Sequence, residues 1–367
     1  MGRLPEAMLG LATVLLLRQA TGSLAPAGAT TAALLVGQAA GGIAQTHLID
    51  RTRQTPTLVA CGVLHPTAVG LLAFGAARRV PLPLLAAAAL LAGLTTPQLT
   101  SCTRVAWSAL LDDEMDRQAA FALDAVALEA IFLLGPALVG GIVVVASPAA
   151  AVLAAAALAG SGTLAFAASG PSRSWRGRPA PRALAGPLRA PAIRTLLLAT
   201  LLFGVGDGCL QLAVAGYAVA RQRPGMAGPL LAAVALGSVL GGTCYGRRRW
   251  PGTPWQRFLV LHLLLAGGLA LAALGGGPAV LAALLALSGL AIAPIATEGG
   301  VLTSAGAPQG TVTEAFAWSV TAVVAGIAAG TAAAGLLAAS LGFRATMLAA
   351  AASCGLAAVV IALGQPR

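Results

Sequence analysis

Three carboxylates interrupt stretches of the sequence that are otherwise apolar. Asp124 and Glu129 lie within residues 118–146, and Asp207 lies between glycines within residues 192–219. A charge at the centre of a bilayer costs ~3 kcal/mol or more, so such residues usually face a cavity or a partner. Because a low-dielectric site favours the neutral form of a carboxyl group, all three are candidates for binding and releasing protons. The alternative is a structural hydrogen bond to a nearby Ser, Thr or backbone group.

The spacing of these groups on a helix decides which of them can act together. Asp124 and Glu129 are five residues apart, which at about 100° per residue points them about 140° away from each other. We therefore do not expect both side chains to line the same wall of a cavity. Gln211 lies one turn after Asp207 and can share its face. Arg104 ends the preceding apolar stretch, and we interpret it as a structural ion-pair partner of Asp124.

A second group of charges lies in the short connections between apolar stretches. Asp50 and Arg51 follow directly after residues 28–49. An Asp side chain can stabilise the N-terminus of a facing helix, and an Arg can bind a carboxylate, such as one supplied by residues 112–116, through two hydrogen bonds. We expect a gate of this kind from Asp50, Arg51, Arg53, Arg104, Asp112, Asp113, Arg247 and Arg248. The alternative is that Arg51 and Arg53 only fix the orientation of the chain.

Signatures of enzymes are missing: the sequence has no Walker A loop, no GxSxG and no HExxH. His65 and His262 have no second ligand three or four residues away, so we interpret both as core residues. The five cysteines show no CxxC spacing. Glu314 is expected in the first turn of a helix, where it suits the dipole. We therefore predict that the protein is not an enzyme and binds no metal and no cofactor.

The composition places these residues in a membrane protein. Hydrophobic residues make up 58% of the 367 residues and charged residues only 9%, against roughly 25% charge in ordinary globular chains. The mean hydropathy is +0.89. All 22 basic residues are Arg, and they lie in short connections, so the net charge of +11 does not indicate binding to nucleic acid. The sequence predicts an all-α polytopic protein in a lipid bilayer.

Charges and Pro/Gly clusters divide the chain into twelve candidate spans. They are residues 5–20, 28–49, 56–77, 81–110, 118–146, 148–169, 192–219, 226–246, 256–275, 277–302, 311–338 and 341–364. The first has only about eleven apolar residues between Glu6 and Arg18, fewer than the ~20 that a spanning helix needs. We expect a short first helix, from a misplaced start or a truncation. The alternative is a cleaved signal peptide with a mature start near Gly28.

The connections suggest two halves and an orientation. Residues 170–191 are rich in Pro and Arg and read as a cytoplasmic linker between a six-helix bundle at 1–169 and another at 192–367. With the N-terminus inside, sixteen of the 22 arginines lie on the cytoplasmic side and six on the other. Arginines favour the cytoplasmic side, so we expect both termini to be cytoplasmic in a multi-pass protein of the cytoplasmic (inner) membrane.

Short blocks of sequence recur at nearly constant offsets. Residues 37–42 (GQAAGG) return as 237–242 (GSVLGG), and residues 120–123 return as 315–318. Ordered repeats in an apolar chain are typical of two homologous helix bundles. Glycines spaced by four mostly allow close helix packing. The residues expected to pack helices closely are Gly37, Gly41, Gly135, Pro136, Gly140, Gly237, Gly241, Gly326 and Gly330.

Several of these segments resemble the major facilitator superfamily. Residues 46–54 (THLIDRTRQ) keep the Asp-Arg pair of its G-x-x-x-D-R-x-G-R-R loop, with Thr46 and Arg53 in place of two glycines, and residues 242–249 (GTCYGRRR) are a degenerate second copy. Residues 104–136 and 313–318 are similar to an actinobacterial branch. Residues 135–141 (GPALVGG) are similar to the G-P-x-x-G-G element of proton-coupled drug exporters, with one extra residue.

The resemblance implies a secondary transporter that works by alternating access between two bundles. The implied partners are a small-molecule substrate, protons and the bilayer, and we expect a monomer. Proton-coupled efflux of a small, rather apolar molecule is the leading hypothesis, with Asp207, Glu129, Asp124 and Gln211 as the coupling and cavity residues. The alternative is a membrane sensor or assembly partner that does not transport but retains the fold.

Overall fold

The computed structural model describes residues 2–21, 24–176, 186–223 and 226–364. These residues form fourteen α-helices and one 3₁₀ turn, Gly186–Arg189, and contain no strand. The first seven helices are α1 Pro5–Thr21, α2 Leu24–Arg51, α3 Gln54–Ala77, α4 Leu82–Leu94, α5 Leu99–Leu110, α6 Glu114–Val145 and α7 Pro148–Ala167. The others are α8 Gly170–Ser174, α9 Pro191–Ala220, α10 Ala227–Gly246, α11 Pro254–Ala273, α12 Pro278–Gly289, α13 Ile292–Gly306 and α14 Val312–Gly364. The predicted all-α class is confirmed.

Ten stretches of the described helices are long and apolar enough to cross a membrane, so the chain is a multi-pass membrane protein. Two of them, Leu82–Leu110 and Pro278–Gly306, each contain two helices. Two more come from α14, whose backbone leaves the helical region at Gly342 (φ 73°). Neither α1 nor α2 is among the ten, and the 17 residues of α1 extend about 26 Å. Twelve spans in two repeated bundles stay a prediction.

Two of the spans are interrupted near their middle. Residues 95–98 separate α4 from α5, and residues 290–291 separate α12 from α13. Pro97 lies in the first break and Pro294 lies just after the second, 197 residues further along. Broken helices inside a membrane are tolerated only where other groups satisfy the freed backbone. At the first break the side chain of Gln45 does so, because its Nε2 donates to Leu94 O at 2.8 Å and to Thr96 O at 3.1 Å.

The described residues separate into two compact units. Unit 1 comprises Met1–Ala106, Ala130–Leu184 and Gln309–Ala317; unit 2 comprises Trp107–Glu129, Ala185–Pro308 and Trp318–Arg367. Each unit has its own buried apolar cluster, formed in unit 1 chiefly by α1, α2, α3, α4 and α7 and in unit 2 chiefly by α9 to α14. The predicted bundles 1–169 and 192–367 stay a prediction, and residues 177–185 of the linker lie outside the described residues.

Most of the predicted packing glycines lie at helix crossings. A Cβ at Gly37 or Gly41 of α2 would collide with backbone atoms of α4. In α10, one at Gly237 would collide with α12 and one at Gly241 with Leu290, just after α12. Inside unit 2, Gly326 and Gly330 of α14 meet the α9 backbone; inside unit 1, Gly135 meets Ala7. These contacts fit the close approach that small residues allow. Among the described residues nothing lies within 4 Å of a Cβ at Gly140, and Pro136 is exposed, so close packing at these two positions stays a prediction.

Candidate functional site

Asp50 closes the first turn of a helix that begins more than 260 residues later. Its Oδ1 accepts a hydrogen bond from Thr313 N at 3.1 Å, and its Oδ2 accepts one from Glu314 N at 2.8 Å. These N–H groups belong to the first turn of α14, where no intrahelical acceptor exists. A carboxylate there gains from charge-assisted hydrogen bonds and from the helix dipole. The predicted partner of Asp50, a facing helix N-terminus, is therefore the start of α14.

A second pair joins the same two helix ends. His47 Nδ1 lies 3.0 Å from Glu314 Oε2, and the Glu314 side chain is 1% exposed. His47 precedes Asp50 by three residues, so both side chains lie on one face of the last turns of α2. We call these bonds of Asp50 and His47 to residues 313–314 the α14 contact. Glu314 lies in the first turn of α14, where a first-turn position was expected for it. Its side chain bonds His47.

Electrostatics keep the α14 contact charged. Asp50 is buried and lies just beyond the predicted span 28–49; burial raises its pKa to about 6, while hydrogen bonds from Thr313 and Glu314 act in the opposite direction. At neutral pH most of the carboxyl is therefore still ionised and accepts both backbone bonds. The Arg104 guanidinium, a predicted gate residue, lies 5.9 Å from the centre of the Phe316 ring on α14, which is within reach of a cation–π interaction.

The start of α6 makes a comparable contact in unit 2. Gln118 Nε2 donates to Tyr245 O at 3.1 Å and to Arg248 O at 3.2 Å, at the end of α10. Two glycines of α10 make room for α6, because a Cβ at Gly242 or Gly246 would lie 2.7 Å from a side-chain carbon of α6. We call the bonds of Gln118 to α10 the α6 contact.

A buried charge network lies beside the α6 contact. Tyr245 Oη donates to Glu298 Oε1 at 2.5 Å, and Arg257 Nε donates to the same oxygen at 2.8 Å. Glu298 is fully buried. Arg257 also lies 3.6 Å from Glu114 and donates to two backbone carbonyls of the connection between α10 and α11. We call Tyr245, Arg257, Glu298 and Glu114 the Glu298 network.

The structure gives several of the predicted gate residues other surroundings, and their part in a gate stays a prediction. The Asp113 carboxylate accepts from Met115 N at 2.7 Å, at the start of α6. Asp112 is exposed. The side chains of Arg247 and Arg248 are exposed, and in this region Arg257 binds the buried carboxylate instead. Arg51 and Arg53 lie at the end of α2 and just after it, beside the α14 contact.

Sequence reasoning missed His47, Gln118, Tyr245, Arg257 and Glu298 as a set of partners. His47 and Tyr245 lie inside the two quoted stretches 46–54 and 242–249, but only the charged residues of those stretches were considered. Arg257 was counted only among the arginines that indicate orientation. One signal was present. A buried Glu in an apolar helix needs a cation or a donor, and Glu298 is such a residue.

The predicted proton-coupling carboxylates lie deeper in unit 2. Asp207 Oδ2 accepts from Gln211 Nε2 at 2.9 Å, so the expected shared face exists. Asp207 also lines a small pocket with apolar residues of α9, α11, α13 and α14. Glu129 lies close enough to Asp207 for the two carboxyls to interact electrostatically. Asp124 is buried. The structure thus gathers two of the three carboxylates.

Comparison with solved structures finds the same fold in several transporters. A bacterial homologue of the iron transporter ferroportin, in an outward-facing state, has a TM-score of 0.77 and 17% identity, over 100% of this chain and 97% of that one. The human organic anion transporter MFSD10 has a TM-score of 0.69 and 18% identity, over 91% of this chain and 82% of that one. The E. coli fucose:proton symporter has a TM-score of 0.72 and 14% identity, over 100% of this chain and 98% of that one. No family model and no curated protein matches the chain. These identities support a shared fold and nothing finer.

Proposed function

We propose, for a chain that has the fold of the major facilitator superfamily, that it is a secondary transporter working by alternating access. It would move a small molecule across the cytoplasmic membrane, with both termini inside. The observation that carries this proposal is the α14 contact. Asp50 bonds helix N–H groups 263 and 264 residues away, at helix ends where a few bonds can break without unfolding either helix.

The strength of the α14 contact suits a gate. A hydrogen bond to a charged group contributes about 1.5–3 kcal/mol, so the two bonds of Asp50 together contribute about 3–6 kcal/mol. Moving a two-state equilibrium from 1:99 to 99:1 takes about 5.5 kcal/mol. The free energy of this contact is therefore of the same order as that needed to shift a transporter between two states. We place it on the cytoplasmic side, where the arginine distribution puts residue 50.

The direction and coupling are part of the proposal. Asp207 and Glu129 share an electrostatic environment in unit 2, so uptake of a proton by one alters the charge felt by the other. This supports proton coupling, with Asp124 and Gln211 as further candidates, and we favour efflux. The fucose symporter with the same fold is named as proton-coupled, which makes a proton gradient the first driving force to test.

Liposomes containing the purified protein test the proposal. An imposed pH gradient should drive flux of at least one member of a panel of small, uncharged or cationic organic solutes. Flux should fall at least tenfold in the Asp207→Asn, Glu129→Gln double variant. The Asp112→Asn variant is the matched control, because Asp112 is exposed, and its flux should be unchanged. Flux that ignores the gradient would rule out the coupling. No flux for any solute would favour the sensor alternative.

A further inference from the structure

A cavity inside unit 1 opens at the break between α4 and α5. It encloses about 480 Å³ when the open solvent at its mouth is included. Its polar lining residues come from four elements: Glu6, Gln38, His65 and Thr96. The rest of the wall is glycine, alanine, proline and leucine. An apolar cavity with a few convergent polar groups has the composition of a ligand site.

The hydrogen bond of His65 fixes which of its nitrogens faces a ligand. His65 Nδ1 lies 2.9 Å from Ala92 O. A carbonyl oxygen only accepts, so Nδ1 carries the proton and neutral His65 presents the lone pair of Nε2. The residue is 1% exposed, and no hydrogen bond to Nε2 is found among the described residues. His65 therefore offers a buried acceptor to the cavity that it lines.

His262 is a natural control for this arrangement. It lies 197 residues after His65, and its Nδ1 also bonds a backbone carbonyl, Phe258 O at 2.8 Å. Its ring, however, packs edge-on against Phe258 and Phe203, with centroids 4.4 and 6.2 Å away. The two histidines share a tautomer, but His262 is surrounded by aromatic rings and His65 lines a polar cavity.

The other polar groups of the cavity are also mostly acceptors. The Glu6 carboxylate accepts from Thr100 Oγ1 at 3.0 Å and lines the wall. Thr96 donates its hydroxyl proton to Ala92 O at 3.1 Å, which leaves the Thr96 oxygen to accept. Gln38 can donate or accept. A carboxylate and several acceptors match a ligand that carries donors and a positive charge.

We propose that this cavity binds a small primary amine, whose ammonium group donates to His65 Nε2 and Thr96 Oγ1 near the Glu6 carboxylate. Leu9, Leu34 and Pro97 would pack against a short alkyl chain. The amine class deepens the proposed function, and it rests on that function only for the idea that the bound amine is transported. It differs from the organic anions named for one protein of the same fold.

Calorimetry on the purified full chain tests the site with three probes of one shape. Butylamine should bind at least tenfold more tightly than butan-1-ol, and butyrate should not bind. The Glu6→Gln variant should lower the affinity for butylamine about tenfold and leave that for butan-1-ol unchanged. Equal affinities for the amine and the alcohol, or tighter binding of butyrate, would overturn the proposal.

Variants of the two histidines locate the site. His65→Phe should weaken butylamine binding at least tenfold. His65→Gln should retain most of the affinity, since a glutamine can donate to Ala92 O and still accept. His262→Phe, the matched control, should bind like the wild type; equal losses at both histidines would refute the assignment. Single-peak gel filtration of each variant checks its folding.

Flux assays separate this inference from the proposed function. Calorimetric binding without gradient-driven flux of butylamine would keep the site and count against transport of amines. Gradient-driven flux of other solutes without calorimetric binding of butylamine would keep the transporter and remove the site.

Discussion

The α14 contact and the α6 contact join helix ends in the same way but with opposite polarity. At the α14 contact, the side chain of Asp50 extends from the end of α2 and accepts from the first N–H groups of α14. At the α6 contact, the side chain of Gln118 extends from the first turn of α6 and donates to Tyr245 O and Arg248 O at the end of α10. One contact satisfies the donors of a helix start, and the other satisfies the acceptors of a helix end.

The predicted repeat offers a further comparison with Asp50. At its offset of 200 residues the position is Trp250, whose Nε1 donates to Tyr245 O at 3.0 Å. In that alignment an acceptor at one position corresponds to a donor at the other. The region of the α6 contact also carries charge, in the buried ion pair of Arg257 and Glu298. The α14 contact is therefore built on the carboxylates of Asp50 and Glu314, whereas the α6 contact consists of neutral bonds beside a buried ion pair.

The largest effect is expected from the buried ion pair. Glu298→Ala leaves the Arg257 guanidinium without its main partner, and breaking a buried pair costs about 3–5 kcal/mol. Thermal unfolding of the purified protein should therefore move to clearly lower temperature. Glu298→Gln, which keeps an acceptor for Tyr245, should lose less. A Glu298→Ala variant as stable as the wild type would show that the network does not support the α6 contact.

Removal of the carboxylate at the α14 contact comes next. Asp50→Ala removes two charge-assisted bonds, at about 1.5–3 kcal/mol each, from the state in which the contact is closed. Flux in liposomes should fall several-fold, while the amount of protein inserted in the membrane stays the same. Asp50→Asn keeps one oxygen acceptor and should be intermediate. Unchanged flux in Asp50→Ala would show that the α14 contact is not a gate.

The sequence predicted the first of these contacts better than the second. Asp50 was assigned to a facing helix N-terminus because Asp followed an apolar stretch, and it makes such a contact. The sequence could not name α14 as the partner, since no local pattern connects residues 50 and 313. Gln118 was missed because an uncharged residue near a helix end carries no motif. Tyr245 was missed because its part in the α6 contact is its backbone carbonyl, which no side-chain pattern reveals.

The ends of the helices were predicted well where they depend on local sequence, and poorly where they depend on distant side chains. The predicted span 5–20 is close to α1, Pro5–Thr21. The predicted spans 81–110 and 277–302 did not include breaks, although Pro97 and Pro294 marked them. Hydropathy is continuous across both breaks, and whether a proline interrupts a helix depends on which side chains, such as that of Gln45, replace the missing backbone bonds.

Reversing the polarity of the α6 contact should have a moderate effect. Gln118→Glu places an acceptor against the two carbonyls of Tyr245 and Arg248, so both hydrogen bonds are lost and like partial charges face each other. We expect a loss of about 1–3 kcal/mol in unfolding free energy. Gln118→Lys restores a donor and should lose less. If Glu is tolerated as well as Lys, the proposed donor role of Gln118 is wrong.

The smallest effect is expected at His47, the partly exposed member of the α14 contact. Its side chain is 15% exposed, and a typical single hydrogen bond contributes about 0.5–1.5 kcal/mol. His47→Gln should therefore lower flux less than twofold in the wild-type background. In the Asp50→Asn background the Glu314 bond is a larger share of what remains, so the same change should have a greater effect. A double-mutant cycle on flux measures this coupling. Independent effects would mean that the two side chains hold α14 separately, and the α14 contact would then be two contacts rather than one.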